Sequence, residues 1–277
     1  MNNYFQDKTV IVTGASKGVG AATARIFANA RANLVIVARN STALKAISDE
    51  LQVKTRVMPV AMDVSNYSEC ENLISQSIIE FSSIHFLINN AGCHKRGLVE
   101  DVDAIDHGEM IDVNLKAPII LSRMVIPHMR KSGGGAIINV SSLAGRTPVP
   151  GSASYSASKS GLRAFTYSLA SELKNSQIKL GVISPGPINT GFIMSNIDAV
   201  SDITFSQPIS TPNKVAKEIL KLCVNKRQEK SIPMISGFLT TITYLFPRFS
   251  SFLKPLLEAK GRRVKEKLKI RNKNISL

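Results

Sequence analysis

The chain has 277 residues, 44% of them apolar, and carries 35 Lys and Arg against 20 Asp and Glu, a formal charge of +15. That apolar content is ample for one buried core and excludes a disordered chain. Three scattered cysteines (Cys70, Cys93 and Cys223) without a Cys-x2-Cys pair exclude a disulfide scaffold and a zinc site, and no apolar run reaches the ~18 residues of a membrane-spanning helix.

The N-terminus, Met1 to Asp7, has no basic-then-apolar signal pattern. Lys8 to Val12 is a β-branched run that reads as a buried strand. A glycine turn, Thr13-Gly-Ala-Ser-Lys-Gly-Val-Gly20, follows at once, and Ala21 to Ala28 reads as a helix. Glycine lets backbone N–H groups approach a phosphate closely, and a helix N-terminus favours an anion. Strand, glycine turn and helix in that order are the context of a dinucleotide site. The spacing is Gly-x3-Gly-x-Gly, not the commoner Gly-x-Gly-x2-Gly.

Alternation continues along the chain. Asn33 to Ala38 and Thr55 to Ala61 read as strands, with helices at Thr42 to Leu51 and Tyr67 to Phe81. A fourth strand, His85 to Asn89, runs into Asn90-Ala91-Gly92. One long helix is expected from Ile105 to Lys131, passing through Asn114 and ended by Gly133 to Gly135. Strand five, Ala136 to Val140, precedes Ser142. A helix spans Ser154 to Lys174, strand six Lys179 to Ser184, a helix Lys214 to Val224 and strand seven Ser231 to Ile235. Alternating β and α segments argue for an α/β doubly wound parallel sheet, a Rossmann fold. Ligands of such a sheet bind beyond the carboxyl ends of its strands. Gly14, Arg39, Asp63, Asn90, Ser142 and Pro185 all follow predicted strands and so converge on one rim. His85, His94, His107 and His128 show no metal-ligand clustering and read as ordinary core or surface histidines.

Tyr155 and Lys159 are four apart and share one face of their helix. An ammonium beside a phenol favours the phenolate, so this tyrosine can exchange a proton near neutral pH. The Ser142 hydroxyl can hold a carbonyl oxygen meanwhile.

The set Thr13-Gly14 to Gly20, Asp63-Val64, Asn89-Asn90-Ala91-Gly92, Asn114, Ser142, Tyr155, Lys159 and Pro185-Gly186 resembles the classical short-chain dehydrogenase/reductase (SDR) family over about residues 7 to 235. The resemblance implies hydride transfer between a nicotinamide and a carbonyl carbon. Tyr155 is then the proton donor or acceptor. Lys159 lowers its pKa and holds the nicotinamide ribose, Ser142 polarises the carbonyl, and Asn114 supports a proton-relay water. Gly14, Ser16, Lys17, Gly18, Val19, Gly20, Asp63, Val64, Asn90, Ala91, Gly92, Tyr155, Lys159, Pro185, Gly186, Ile188 and Thr190 contact the cofactor, while Ser142, Leu143, Tyr155 and Pro187 line the substrate site. NAD-selective members place an acid at the end of strand two. Here Ala38 and then Arg39 occupy that end, and with Lys17 they point to NADP(H), because cations can clamp a 2′-phosphate. No metal is expected. Residues 187–211 form a variable lid with Phe192, Ile193, Met194, Ile197, Ile203 and Phe205, which suggests a hydrophobic ketone, 3-oxoacyl or lipid-like substrate. The other functional class is a non-enzymatic NADP sensor or nucleic-acid binder on the same fold. The intact Asn114, Ser142, Tyr155 and Lys159 set argues against it, and no nucleic acid is expected as a partner.

The expected catalytic domain is 1–235, followed by an extension, 236–277. Gly237 to Leu257 is apolar and aromatic, and Pro247 and Pro255 are expected to break it. From Lys254 onward nine Lys and Arg face Glu258 and Glu266, a net +7. An apolar stretch beside a basic run suits an anionic membrane surface; it also suits a segment packed on the core or on a second subunit, followed by a solvated tail. The expected setting is cytoplasmic, as a homodimer or homotetramer, with the tail at the inner face of a membrane.

Overall fold

A computed structural model describes residues 4–275. Runs such as Thr9–Thr13 (TVIVT) and Asn33–Ala38 (NLVIVA) are buried along almost their whole length, as strands covered on both faces must be. Seven strands, β1 (Thr9–Thr13), β2 (Asn33–Ala38), β3 (Val57–Ala61), β4 (Phe86–Asn89), β5 (Gly135–Val140), β6 (Ile178–Pro185) and β7 (Glu229–Ile232), make one sheet. All pairings are parallel, in the order β3-β2-β1-β4-β5-β6-β7. The helices are α1 (Gly18–Asn29), α2 (Ser41–Gln52), α3 (Tyr67–Phe81), α4 (Ala104–Ile111), α5 (Ala117–Lys131), α6 (Ala153–Glu172), α7 (Gly191–Met194), α8 (Pro212–Val224), α9 (Met234–Leu245) and α10 (Pro247–Ile275).

Period-two alternation sorts each strand between two cores. Val10 and Val12 of β1 pack with Phe27 of α1, Leu44 of α2 and Ile219 of α8. Ile11 points the other way, to Leu73 of α3, Val125 of α5 and Leu169 of α6. Strand order reverses between β1 and β4, and the loops there part to form a crevice.

Three sequence expectations need correction. The helix from Ile105 to Lys131 is not continuous α-helix: residues Asp112–Lys116, around Asn114, form a π-helical turn between α4 and α5. Strand seven ends at Ile232, not Ile235. Pro233 lacks an N–H to continue the ladder, and Met234 already opens α9. Pro247 separates α9 from α10 as expected, but Pro255 sits inside α10 without ending it.

The basic tail folds back on the lid. Val264 and Leu268 of α10 pack on Ile193, Ile197, Val200 and Phe205. Lys265 Nζ donates to the carbonyls of Val200 (2.7 Å) and Asp198 (3.1 Å) and lies 3.2 Å from the Asp202 carboxylate. Arg262 Nε also reaches Asp202, at 3.3 Å, and Lys269 pairs with Asp198. A Cβ at Gly261 would lie 1.8 Å from the Asp202 carbonyl oxygen, so only glycine permits this approach.

Candidate active site

The turn after β1 is held from β4. Asn90 Nδ2 donates to the carbonyls of Thr13 (2.9 Å) and Gly14 (3.2 Å), while Thr13 Oγ1 accepts from the N–H groups of Asn90 and Ala91, both at 3.0 Å. A Cβ on Gly20 would come within 2.1 Å of the Gly14 carbonyl oxygen, so α1 begins flush against the turn. Lys17, at the N-cap of α1, caps no N–H with its side chain, which leaves the first turn able to meet an anion. These features fit the pyrophosphate of a dinucleotide.

Above the turn runs a cleft of about 890 Å³. Of the residues expected at the site, Gly14, Ser16, Lys17, Gly18, Val19, Arg39, Asp63, Val64, Asn90, Ala91, Gly92, Ser142, Leu143, Tyr155, Lys159, Pro185, Gly186, Pro187, Ile188 and Thr190 line it. Gly20 and Asn114 stand behind its wall, and Asn114 is fully buried. Asn114 Nδ2 donates to Cys93 O (2.9 Å) and Ser158 Oγ (3.1 Å), and its Oδ1 accepts from Cys93 N at 2.9 Å. Its amide hydrogens are thus both taken.

At the end of the cleft beside β2 and β3, Arg39 is not idle. Its Nη1 lies 3.3 Å from Glu109 and 3.7 Å from Asp63. Burial raises the Asp63 pKa, but the Ser65 N–H and hydroxyl, together with Arg39, outweigh it and hold the carboxyl below its usual range.

At the other end Tyr155 and Lys159 of α6 meet the end of β5. Tyr155 is 9% exposed and Lys159 4%. Lys159 Nζ donates to Val140 O at 2.9 Å and stands 5.9 Å from the centre of the Tyr155 ring. Burial lowers the Lys159 pKa to about 8. Burial also raises the phenol pKa of Tyr155, and the Ser142 hydroxyl and the Arg96 charge only partly oppose it. The shared helix face therefore brings the pair together, while the ammonium gives one of its three N–H donors to β5, and burial keeps the phenol pKa raised.

Two wall residues escaped the sequence reading. His94 is not an ordinary histidine: its ring stacks on Tyr155 at 4.0 Å between centroids and 11° between planes. Burial, with Arg96 and Lys159 nearby, depresses its pKa to about 3, and its Nε2 is buried with no partner among the described residues. Arg96 donates to Phe192 O at 3.2 Å. Their only sequence signal was position, just past the end of β4.

The loop bearing Ser142 is tied to the end of the chain. Ser142 caps a short 3₁₀ turn, Leu143–Gly145, by accepting from Ala144 N at 3.1 Å. Arg146 follows and pairs with Glu229 at the start of β7. Glu229 also accepts from Arg163 (2.9 Å), Tyr167 (2.8 Å) and Ser184 (2.9 Å). Burial pushes Glu229 up, yet Arg163, Arg146 and Tyr167 bring it down to about 2. Arg146 reaches α9 as well, donating to Thr241 Oγ1 at 2.6 Å and Gly237 O at 3.2 Å.

The short chain dehydrogenase family model matches residues 8–200. A short chain dehydrogenase of Pseudocercospora fijiensis is 34% identical over 189 residues, which cover 67% of this chain and 61% of that protein. The ketoacyl reductase HetN of a Nostoc species is 33% identical over 228 residues, 80% of this chain and 77% of the relative. Dehydrogenase/reductase SDR family member 7B of Bos taurus is 30% identical over 259 residues, 87% of this chain and 79% of the relative. With the seven-stranded parallel sheet and its glycine turn, these matches make the chain a member of the short chain dehydrogenase/reductase family, oxidoreductases that work between carbonyl and alcohol with a nicotinamide cofactor.

Proposed function

We propose that this protein is an NADP-dependent reductase of a hydrophobic carbonyl compound. The observation that carries the reading is the meeting of Ser142, Tyr155 and Lys159 on the wall of the cleft whose other end is the glycine turn. Bound NADPH would supply the hydride. Tyr155 gives its proton to the alkoxide oxygen as that oxygen gains charge, and Ser142 Oγ holds the same oxygen. Lys159, released from Val140 O, serves the nicotinamide ribose and the phenolate. Asn114 holds the loop after β4 beneath Lys159, and with both amide hydrogens taken it has none to give a relay water. Lys17 and Arg39 support NADP(H) over NAD(H), with Ala38 offering no carboxylate to the ribose. The Arg39 ion pairs are exposed, worth about 0–1 kcal/mol, so a 2′-phosphate can displace them.

The name of the Nostoc relative, a ketoacyl reductase, supports carbonyl reduction as the working direction. The cleft reaches Leu239 and Ile242 of α9 and Leu253 and Leu257 of α10, which supports a substrate with an apolar limb. The test is a screen of ketones and 3-oxoacyl thioesters with NADPH, followed by loss of reduced-nicotinamide absorbance. Turnover that depends on Tyr155 supports the reading. NADPH binding without turnover of any carbonyl leaves the nucleotide-sensing alternative.

The outer surface of α9 supports a membrane contact. α9 carries no charged side chain, and Met234, Ile235, Phe238, Tyr244, Leu245 and Phe246 are all more than 60% exposed at its surface and end. Among the described residues no helix is long and apolar enough to cross a membrane. An in-plane contact beside a basic segment accounts for both facts. Three free thiols support a reducing, cytoplasmic setting.

A further inference from the structure

The cleft divides by charge. Asp63, at the adenosine end, is the one carboxylate among the described residues that line it. Of the cations there, Arg25 bonds Glu50 through two nitrogens and Arg39 faces Asp63 and Glu109, while Lys17 stands at the glycine turn, where a dinucleotide phosphate would meet it. Past Tyr155 the lining is uncharged, whether apolar, hydroxyl- or amide-bearing or the imidazole of His94, with one exception. Arg96 lines this end half-buried, and no carboxylate pairs with it among the described residues. One of its five N–H donors goes to Phe192 O at 3.2 Å. Its guanidinium lies 5.5 Å from the centre of the Phe192 ring, and the Tyr155 ring lies 6.3 Å from the same centre. Burial works against the Arg96 charge. A cation taken partly out of water without a counter-ion is costly, and an oxyanion in the cleft would relieve that cost through paired N–H donors.

On the reductase reading, we propose that Arg96 anchors an oxyanion carried by the substrate, on the Phe192 side of its reacting carbonyl. Both Arg96 and Tyr155 flank Phe192, so the anion lies only a few atoms from the carbonyl oxygen. The substrate is then amphipathic: an acid group at Arg96, the carbonyl at Ser142 and Tyr155, and an apolar limb toward Leu239, Ile242 and Leu257. Lys is a poor replacement here, because a point charge cannot form the forked contact.

The full chain with saturating NADP⁺ is titrated with nonanoate and with nonan-1-ol, for wild type, Arg96→Lys and Arg96→Met. The expected result is a nonanoate-to-nonanol affinity ratio that falls at least tenfold in Arg96→Met, with Arg96→Lys between. The KM ratio of 4-oxononanoate to its methyl ester should move the same way. A ratio that stays constant while both ligands weaken together would show that Arg96 merely fastens the Phe192 carbonyl, and overturns the proposal, as does wild-type protein that prefers the alcohol. Arg96-dependent nonanoate binding with no turnover of either ketone would keep the anion site and remove the reductase reading, so the two failures are separable.

Discussion

The imidazole of His94 lies flat on the ring of Tyr155, 4.0 Å away and 11° from parallel. The contact holds the phenol against the loop after β4, and the aromatic pair is worth about 0.5–1.5 kcal/mol beyond its buried area. His94→Ala should lower kcat by roughly tenfold, an effect of about 1.4 kcal/mol, while His94→Phe keeps most of the activity. Since His94 holds its neutral form down to about pH 3, the pH profile should show no inflection from it near neutrality. Equal losses for both variants, measured as kcat against a reducible ketone, would remove the stacking role.

Cofactor choice tests the opposite end of the cleft. Arg39→Ala should weaken NADPH by roughly tenfold to a hundredfold, the worth of one charge-assisted phosphate contact of about 1.5–3 kcal/mol. NADH should change far less. Fluorescence titration with both cofactors decides, and parallel losses would discard the 2′-phosphate assignment.

Tyr155→Phe should cut turnover by roughly 10²–10⁴-fold, the range of positioned acid catalysis, with NADPH affinity largely kept. Lys159 adds a pH signature. Its ammonium is favoured below about pH 8 and lost above it, so NADPH binding should weaken as pH rises through that value. Arg at this position stays charged, so Lys159→Arg should flatten the profile. A profile that Lys159→Arg leaves unaltered would show that another group titrates.

Glu229 makes the fold acid-sensitive. Its carboxyl falls from 4.5 to about 2 on folding, so its stabilisation is present above about pH 4.5 and is lost as pH falls toward 2. The depression corresponds to roughly 3 kcal/mol at about 1.4 kcal/mol per factor of ten in acidity. Glu229→Gln should lower the urea midpoint at pH 7 and narrow the gap to wild type at pH 3. A constant gap across that range would show that the ion cluster contributes nothing specific.

The membrane contact is best tested on α9. Truncation after Lys260 would strip Arg262, Lys265 and Lys269 from the lid and so disturb the cleft too. Ile235→Ser with Phe238→Ser leaves those ion pairs in place, since both side chains are exposed. Wild type should co-sediment with phosphatidylserine-containing vesicles at low salt and the double variant much less. If both stay in the supernatant and sedimentation velocity shows a dimer only for wild type, α9 is a subunit contact instead.

Much of this was readable in the chain because buried parallel strands leave continuous β-branched runs, and each ends in a residue that must line the rim. The long helical pattern through Asn114 hid its π-helical turn, because one extra residue per turn hardly disturbs apolar periodicity over so short a stretch. Four-residue spacing placed Lys159 beside Tyr155 but could not show that Val140 O accepts a hydrogen bond from its ammonium. Arg39 meets Glu109 from 70 positions away, a pairing no local pattern encodes. The tail's excess charge left a membrane contact and packing on the core or on a second subunit both open, and nothing local could show that three of its cations are committed to Asp198 and Asp202. His94 and Arg96 had no motif to announce them.

Arg146 gives the chain an order of completion. A nascent chain that stops short of Glu229 already contains every strand of the nucleotide half and both residues of the Tyr155–Lys159 pair. It lacks the carboxylate and the α9 carbonyl and hydroxyl that hold Arg146, and so one set of the ties on the Ser142 turn, the other set coming from α6. The nucleotide half is thus complete in sequence while Arg146, four residues past Ser142, still awaits the partners that lie at the far end of the chain.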